Sequence, residues 1–279
     1  MTGPTRSRIV AGIAEPQPAT LRFAIDEAQR FGLDLEVVHC AAFANYATRV
    51  IDQVRFDNWL EAAEYILDGA KASVSREFDP PKTTYRLSDQ PPIDEFLRVS
   101  AEAAEIVLGS DNPSWFSRML SPAVSQTLAF IANCPVVVVP EQALAPPRTH
   151  GVVVGIEANR DEDHVLRYAF EQADRRGSTL LAVHALPDDS WAGEVPAHEA
   201  AVAEALAGWS EKFPNVPLTR KLLQGTPARV CARATMSAEL VVVGQPRGSR
   251  IPFGFNSPMS NALLQRAFGP VAIIPDPLS

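Results

Sequence analysis

The chain repeats itself. Leu21-Arg-Phe-Ala-Ile-Asp-Glu-Ala-Gln-Arg-Phe-Gly32 returns as Leu166-Arg-Tyr-Ala-Phe-Glu-Gln-Ala-Asp-Arg-Arg-Gly177, an offset of 145 residues. Around this stretch, Ile9-Val-Ala-Gly-Ile13 returns as Val152-Val-Val-Gly-Ile156, and Glu105-Ile-Val-Leu-Gly109 as Leu240-Val-Val-Val-Gly244. Near the ends, Asn133-Cys-Pro-Val-Val-Val-Val-Pro140 answers Phe268-Gly-Pro-Val-Ala-Ile-Ile-Pro275. The order of segments is kept while the offset drifts from 143 to 145 and then to 135, as it does when insertions fall in loops. The chain therefore reads as two copies of one domain, residues 1–141 and 149–279, joined by an aperiodic segment containing Ala145-Pro-Pro147.

Within each copy, short β-branched runs alternate with stretches of helical length. In copy one the strands read Arg8–Ile13, Asp34–His39, Thr83–Leu87, Glu105–Gly109 and Pro135–Val139. Between them, Thr20–Phe31 sets Leu21, Ala24, Ile25 and Ala28 on one helical face and ends at Gly32, a residue suited to a C-cap. Asn58–Phe78, Ile93–Ala103 and Val124–Ala132 read as further helices, the first with an apolar stripe that belongs to the core. Strands alternating with helices predict right-handed crossovers and a parallel sheet covered on both faces. The fold class is α/β: two tandem doubly wound sheets, five strands each.

Charge and cysteine usage narrow the function. Residues 1–145 hold 12 Lys+Arg against 19 Asp+Glu, residues 146–279 hold 13 against 14, and no basic stripe is present, which argues against a nucleic-acid partner. Apolar runs such as Val136–Val139 and Val241–Val243 are far shorter than the ~18–20 residues that span a bilayer, and Met1–Arg8 is polar, so neither a membrane partner nor a leader is expected. Cys40, Cys134 and Cys231 form no CxxC pair and read as small buried apolar residues of a cytoplasmic protein. His39 and His184 end the second strands and lack any metal spacing, which favours structural histidines over ligands or bases. His198-Glu199 opens a helix without a second histidine four residues on.

In a doubly wound sheet, ligands bind outside the carboxyl ends of the strands at the switch point. The segments after Ile13 and Ile156, after His39 and His184, at Asp89 and Gly225, and after Gly109 and Gly244 lie there. After Gly109 and Gly244 the next helix starts some thirteen residues on, the layout of a backbone cradle leading to a helix N-terminus and suited to phosphate. With Ala238-Glu-Leu-Val-Val-Val-Gly244 and Cys134-Pro-Val-Val-Val-Val139, the chain resembles a tandem universal stress protein of actinobacterial type over nearly its whole length. The resemblance implies an adenine-nucleotide-binding α/β fold. In ATP-binding members the phosphate loop reads Gly, two residues, Gly, nine residues, then Gly-Ser or Gly-Thr.

Both copies depart from that pattern. Copy one has Gly109, Asn112 and Pro122-Ala123 in those places, and Ala14 where the family carries an acidic residue. Proline removes an N–H and side chains block the approach of phosphate, so copy one reads as empty, with Trp115-Phe116 folding over the vacancy. Copy two keeps Glu157 after Ile156, and Gly244 is followed by Arg247, Gly248, Ser257 and Ser260, although Pro258 replaces a hydroxyl residue. Arg247 and Arg250 suit phosphate, although surface arginine is common and they read first as solvated loop charges. Any cofactor is therefore ATP or another adenine nucleotide in copy two. The leading reading is a non-catalytic stress-response or regulatory protein acting by binding and assembly; the runner-up is an enzyme of the same superfamily, hydrolysing ATP or adenylating.

The closing strands Val136–Val139 and Val271–Ile274 are apolar at every position yet come last in each copy, where an uncovered edge invites another strand. Docking copy one against copy two through these strands, a pseudo-dimer within one chain, resolves both edges. The linker of about seven residues reaches ~25 Å, enough for neighbouring domains. Homodimers of whole chains are a further expectation with no residue pattern behind it. Val138→Asp or Ile273→Asp is expected to expand the particle in small-angle scattering and raise apolar-dye binding; unchanged dimensions and dye binding reject these strands as the domain interface.

Overall fold

The computed structural model describes residues 7–41, 53–110, 124–141, 150–157, 162–188, 193–245 and 262–276, with backbone alone for 53–59. The chain divides into two compact units, Met1–Glu141 and Gln142–Ser279. Among the described residues no helix is long and apolar enough to cross a membrane.

Unit 1 runs β1 (Arg8–Gly12), α1 (Pro18–Phe31), β2 (Asp34–Cys40), α2 (Gln53–Val74), β3 (Thr83–Ser88), α3 (Pro92–Val99), β4 (Glu105–Gly109), α4 (Val124–Ile131) and β5 (Val136–Val139). Its strands lie in the order β3-β2-β1-β4-β5, all parallel. Unit 2 runs β6 (His150–Gly155), α5 (Asp163–Arg176), β7 (Leu180–Leu186), α6 (Val195–Ala205), α7 (Trp209–Lys212), β8 (Leu218–Gln224), α8 (Pro227–Ala234), β9 (Ala238–Gly244) and β10 (Val271–Ile274). Its order, β8-β7-β6-β9-β10, is the same winding. In each unit the chain leaves the first strand in one direction and the fourth in the other. Right-handed crossovers then put helices on both faces and open a crevice between β1 and β4, and between β6 and β9.

The doubly wound α/β class expected from the repeat is the class observed. Val10, Ala11, Ile106, Val107, Val152, Val154, Val241 and Val242 on the central strands are at most 2% exposed, and burial of each valine or isoleucine side chain stabilises the fold by about 1.5–3 kcal/mol. Leu21, Ala24, Ile25 and Ala28 form the buried face of α1. Gly32 and Gly177 end α1 and α5 at φ 64° and 58°, left-handed conformations that turn their N–H groups back onto the last carbonyls of each helix.

Two helices end several residues earlier than expected, the one read over Ile93–Ala103 closing at Val99 as α3. Helix α2 spans Gln53–Val74 rather than Asn58–Phe78, burying Ala63, Leu67, Ala70 and Val74 while Leu60 and Phe78 are exposed. It stops short because Asp79-Pro80-Pro81 follows, and a residue before proline is held out of the helical region. At the other end of unit 1, the Glu141 carboxylate accepts the N–H groups of Ala19 and Thr20, both at 3.1 Å, and the Thr20 hydroxyl at 2.7 Å. An anion at the N-terminus of α1 satisfies amides that have no partner inside the helix.

Unit 1 also holds an ion network on the face under α3. Glu36 pairs with the Arg8 guanidinium, Nε at 2.8 Å, and accepts a hydrogen bond from Arg86 Nε at 2.7 Å. Glu95 accepts Arg86 Nη1 and Arg98 Nη2, each at 2.6 Å, and Ser88 Oγ at 3.0 Å. Burial pushes the Glu95 carboxyl up, but hydrogen bonds from Arg98, Arg86 and Ser88 outweigh it and hold the carboxyl below its ordinary value of 4.5. A depressed folded value means stability that is present above the unfolded value and lost as pH falls through the folded one. Glu95→Gln is expected to cost about 2 kcal/mol at neutral pH, since the arginines are partly solvated. The variant should also flatten the fall in melting temperature below pH ~4.5, and calorimetry across pH 3–7 checks both effects.

Candidate functional site

A cavity of about 470 Å³ opens at the carboxyl ends of β6, β7 and β9 in unit 2, at the switch point of the winding. Of the seven residues singled out from the sequence, Ile156, Glu157 and Gly244 line it. Arg247, Gly248, Ser257 and Ser260 lie outside the described residues, as do Arg250 and Pro258, and in unit 1 Asn112, Trp115, Phe116, Pro122 and Ala123.

The loop after β6 is held by Glu162, the residue that starts α5. Its Oε2 accepts the Glu157 N–H at 3.0 Å, while its carbonyl accepts the N–H groups of Val165 and Leu166 at 2.9 Å. A Cβ added to Gly244 would stand 3.4 Å from Glu162 Oε1, so the carboxylate covers the end of β9. Unit 1 repeats this device with a neutral group: Gln17 Oε1 accepts the Ala14 N–H at 3.0 Å. The copies thus differ at this loop by two carboxylates, Glu157 for Ala14 and Glu162 for Gln17.

Both strand-end histidines turn inward. His39 Nδ1 lies 2.8 Å from the Ile13 carbonyl, and His184 Nδ1 lies 2.9 Å from that of Ile156. A carbonyl only accepts, so each Nδ1 carries a hydrogen. Burial lowers the His39 pKa, and its bond to Ile13 only partly offsets this. His184 has a second partner: its Nε2 lies 2.9 Å from His198 Nδ1, with ring centroids 5.0 Å apart. Spacing gave no hint of this pair, because the two residues are 14 apart and only the turn from β7 into α6 joins them. His184 and His198 both line the cavity.

What opens the cavity in unit 2 is the fifth residue of the helix after the third strand. In α3 that residue is Phe96, in α8 it is Cys231. A Cβ on Gly12 would overlap the Phe96 ring, which is 4% exposed and lies over the end of β1 beside Leu108. At the matching Gly155, a Cβ would meet the smaller Cys231 sulfur at 3.0 Å. Burial pushes the Cys231 thiol up to about 12, so at neutral pH it is an uncharged wall atom rather than a nucleophile. Among the described residues no three His, Cys, Asp or Glu side chains come together to hold a metal ion.

A repeated doubly wound α/β unit with a ligand-sized crevice at its switch point is the class that fold and site define. The model of the universal stress protein family matches residues 5–140 and again 149–275. A universal stress protein of Mycobacterium tuberculosis is 35% identical over 192 residues, about 65% of the length of each chain. A second from the same organism is 30% identical over 265 residues, 85% of each. The crystal structure of a universal stress protein from Archaeoglobus fulgidus has the same fold, with a TM-score of 0.65 over 97% of each chain at 17% identity. The chain belongs to the universal stress protein family. Glu162→Ala removes the acceptor of the Glu157 N–H from a site 8% exposed and is expected to cost about 1–3 kcal/mol, read as a lower urea midpoint with an unchanged slope.

Proposed function

We propose that the protein is a cytoplasmic regulatory protein of stress response, acting by binding and assembly, with ATP or another adenine nucleotide held in the second copy and not in the first. The observation that carries this reading is the exchange of Phe96 for Cys231, which fills one crevice and leaves the other open. The cavity is mainly apolar with a few convergent polar groups, the composition that suits a base and a sugar. Arg247, Gly248, Ser257 and Ser260 follow Gly244 in sequence and supply phosphate-binding chemistry in this reading. Three free cysteines fit a reducing compartment. Assembly uses the apolar closing strands of the two copies, and then pairing of whole chains.

A second reading, an adenine-nucleotide-dependent hydrolase or adenylating enzyme, is favoured by one feature. The His184–His198 pair faces the same cleft, and an imidazole with a partnered ring is a group able to take a proton. Release of phosphate or AMP from ATP that is lost in His198→Ala would establish it. For the binding reading, calorimetry of ATP against the intact chain is expected to show one saturable site. Cys231→Phe should weaken it by at least about tenfold (about 1.4 kcal/mol), whereas Cys231→Ser should leave it nearly unchanged. Binding that survives Cys231→Phe in a folded variant overturns the assignment to this cleft.

A further inference from the structure

The two units carry the same positions on the face under α3 and α8, but with opposite electrostatic outcomes. The register pairs Val38 with Arg86 in unit 1 and Val183 with Lys221 in unit 2, so Lys221 stands where Arg86 stands. Two residues earlier on the neighbouring strands, Glu36 corresponds to Leu181. The helices Pro92–Val99 and Pro227–Ala234 align residue for residue, matching Asp94 with Arg229, Glu95 with Val230 and Arg98 with Arg233. In unit 1 the arginines close on Glu36 and Glu95. In unit 2 both carboxylates have become aliphatic, the cations remain, and a third cation replaces Asp94.

A groove of about 450 Å³ occupies that place in unit 2. Lys221, Arg229 and Arg233 line it above Val153, Leu181 and Leu223, and no Asp or Glu is among its lining residues. The side chains of these three cations make no ion pair or hydrogen bond with another described residue. Like charges gathered without a counter-charge repel one another, and an anion placed among them relieves that repulsion.

We propose that this groove is an anion site, separate from the nucleotide cleft, for a small organic acid: a carboxylate or phosphate head held by Lys221, Arg229 and Arg233, with an apolar body on Val153, Leu181 and Leu223. In unit 1 the protein supplies its own carboxylates; in unit 2 the ligand supplies the charge. The groove has the size of a small-molecule site, and its polar rim over an aliphatic floor selects a head and a body together. Val183 and Val230 line both this groove and the nucleotide cleft, so the decisive substitutions are made elsewhere.

Octyl phosphate, octanoate, inorganic phosphate and octylamine titrated into the full chain by calorimetry test the site. Octyl phosphate or octanoate is expected to bind at one per chain, the tighter of the two identifying the head as phosphoryl or carboxylate. Inorganic phosphate should bind at least about tenfold more weakly, and octylamine not at all. Arg229→Gln with Arg233→Gln, on exposed side chains, should lower affinity at least about tenfold while leaving ATP binding alone. Leu181→Glu, which restores the carboxylate that unit 1 carries as Glu36, should abolish binding. No saturable binding, equal binding of octylamine or inorganic phosphate, or affinity retained in the double glutamine variant overturns the proposal. ATP titrated into the same proteins reports the nucleotide reading separately.

Discussion

The helix that follows the third strand of each unit comes down onto a glycine at the end of the first strand, and the side chain at that point of approach decides what the unit can hold. A Cβ on Gly12 would overlap the Phe96 ring and one on Gly155 would stand 3.0 Å from the Cys231 sulfur, so close approach is common to both copies. What differs is the volume delivered: an aromatic ring from Phe96, a thiol from Cys231. A buried phenylalanine contributes a few kcal/mol by burial, so unit 1 gains stability from the space that unit 2 leaves open. One substitution on a duplicated scaffold thus changes the volume delivered over the end of the first strand.

The same helix carries the second difference between the units. In unit 1 its Glu95 joins Arg86 and Arg98, and Glu36 on the adjacent strand joins Arg86 and Arg8, so buried charge is neutralised locally. In unit 2 Val230 and Leu181 replace the two acids, and the cations stand over an aliphatic floor. A network satisfied within the protein rigidifies it; cations without acids create a demand for an external anion. Both changes fall on the same helix of the duplicated scaffold.

Much of the fold was legible because duplication aligns elements without structural knowledge. Leu21 with Leu166 and Gly32 with Gly177 mark one helix and its cap, and the apolar runs at Val136–Val139 and Val241–Val243 mark strands buried on both faces. The strand ends Gly109 and Gly244 likewise pointed to the switch point, where Ile156, Glu157 and Gly244 line a cavity. The end of α2 at Val74 was missed because an apolar Phe78 fits the helical period, while the prolines after it act on the backbone. Cys231 read correctly as a small buried residue, but its place opposite Phe96, and the meeting of His198 with His184, carried no signal because each depends on a partner on another element. Glu36 meets Arg8 and Arg86 through the pairing of neighbouring strands, which residue spacing along the chain does not display.

The claim that one copy is open and the other filled is tested most directly by counting. Native mass spectrometry of the intact chain, incubated with ATP and sprayed under conditions that preserve non-covalent complexes, reports the number of nucleotides per chain. One nucleotide is the expected result. Two per chain would show that Phe96 does not close the first crevice, and none at saturating ATP would show that the space left by Cys231 is not a nucleotide site.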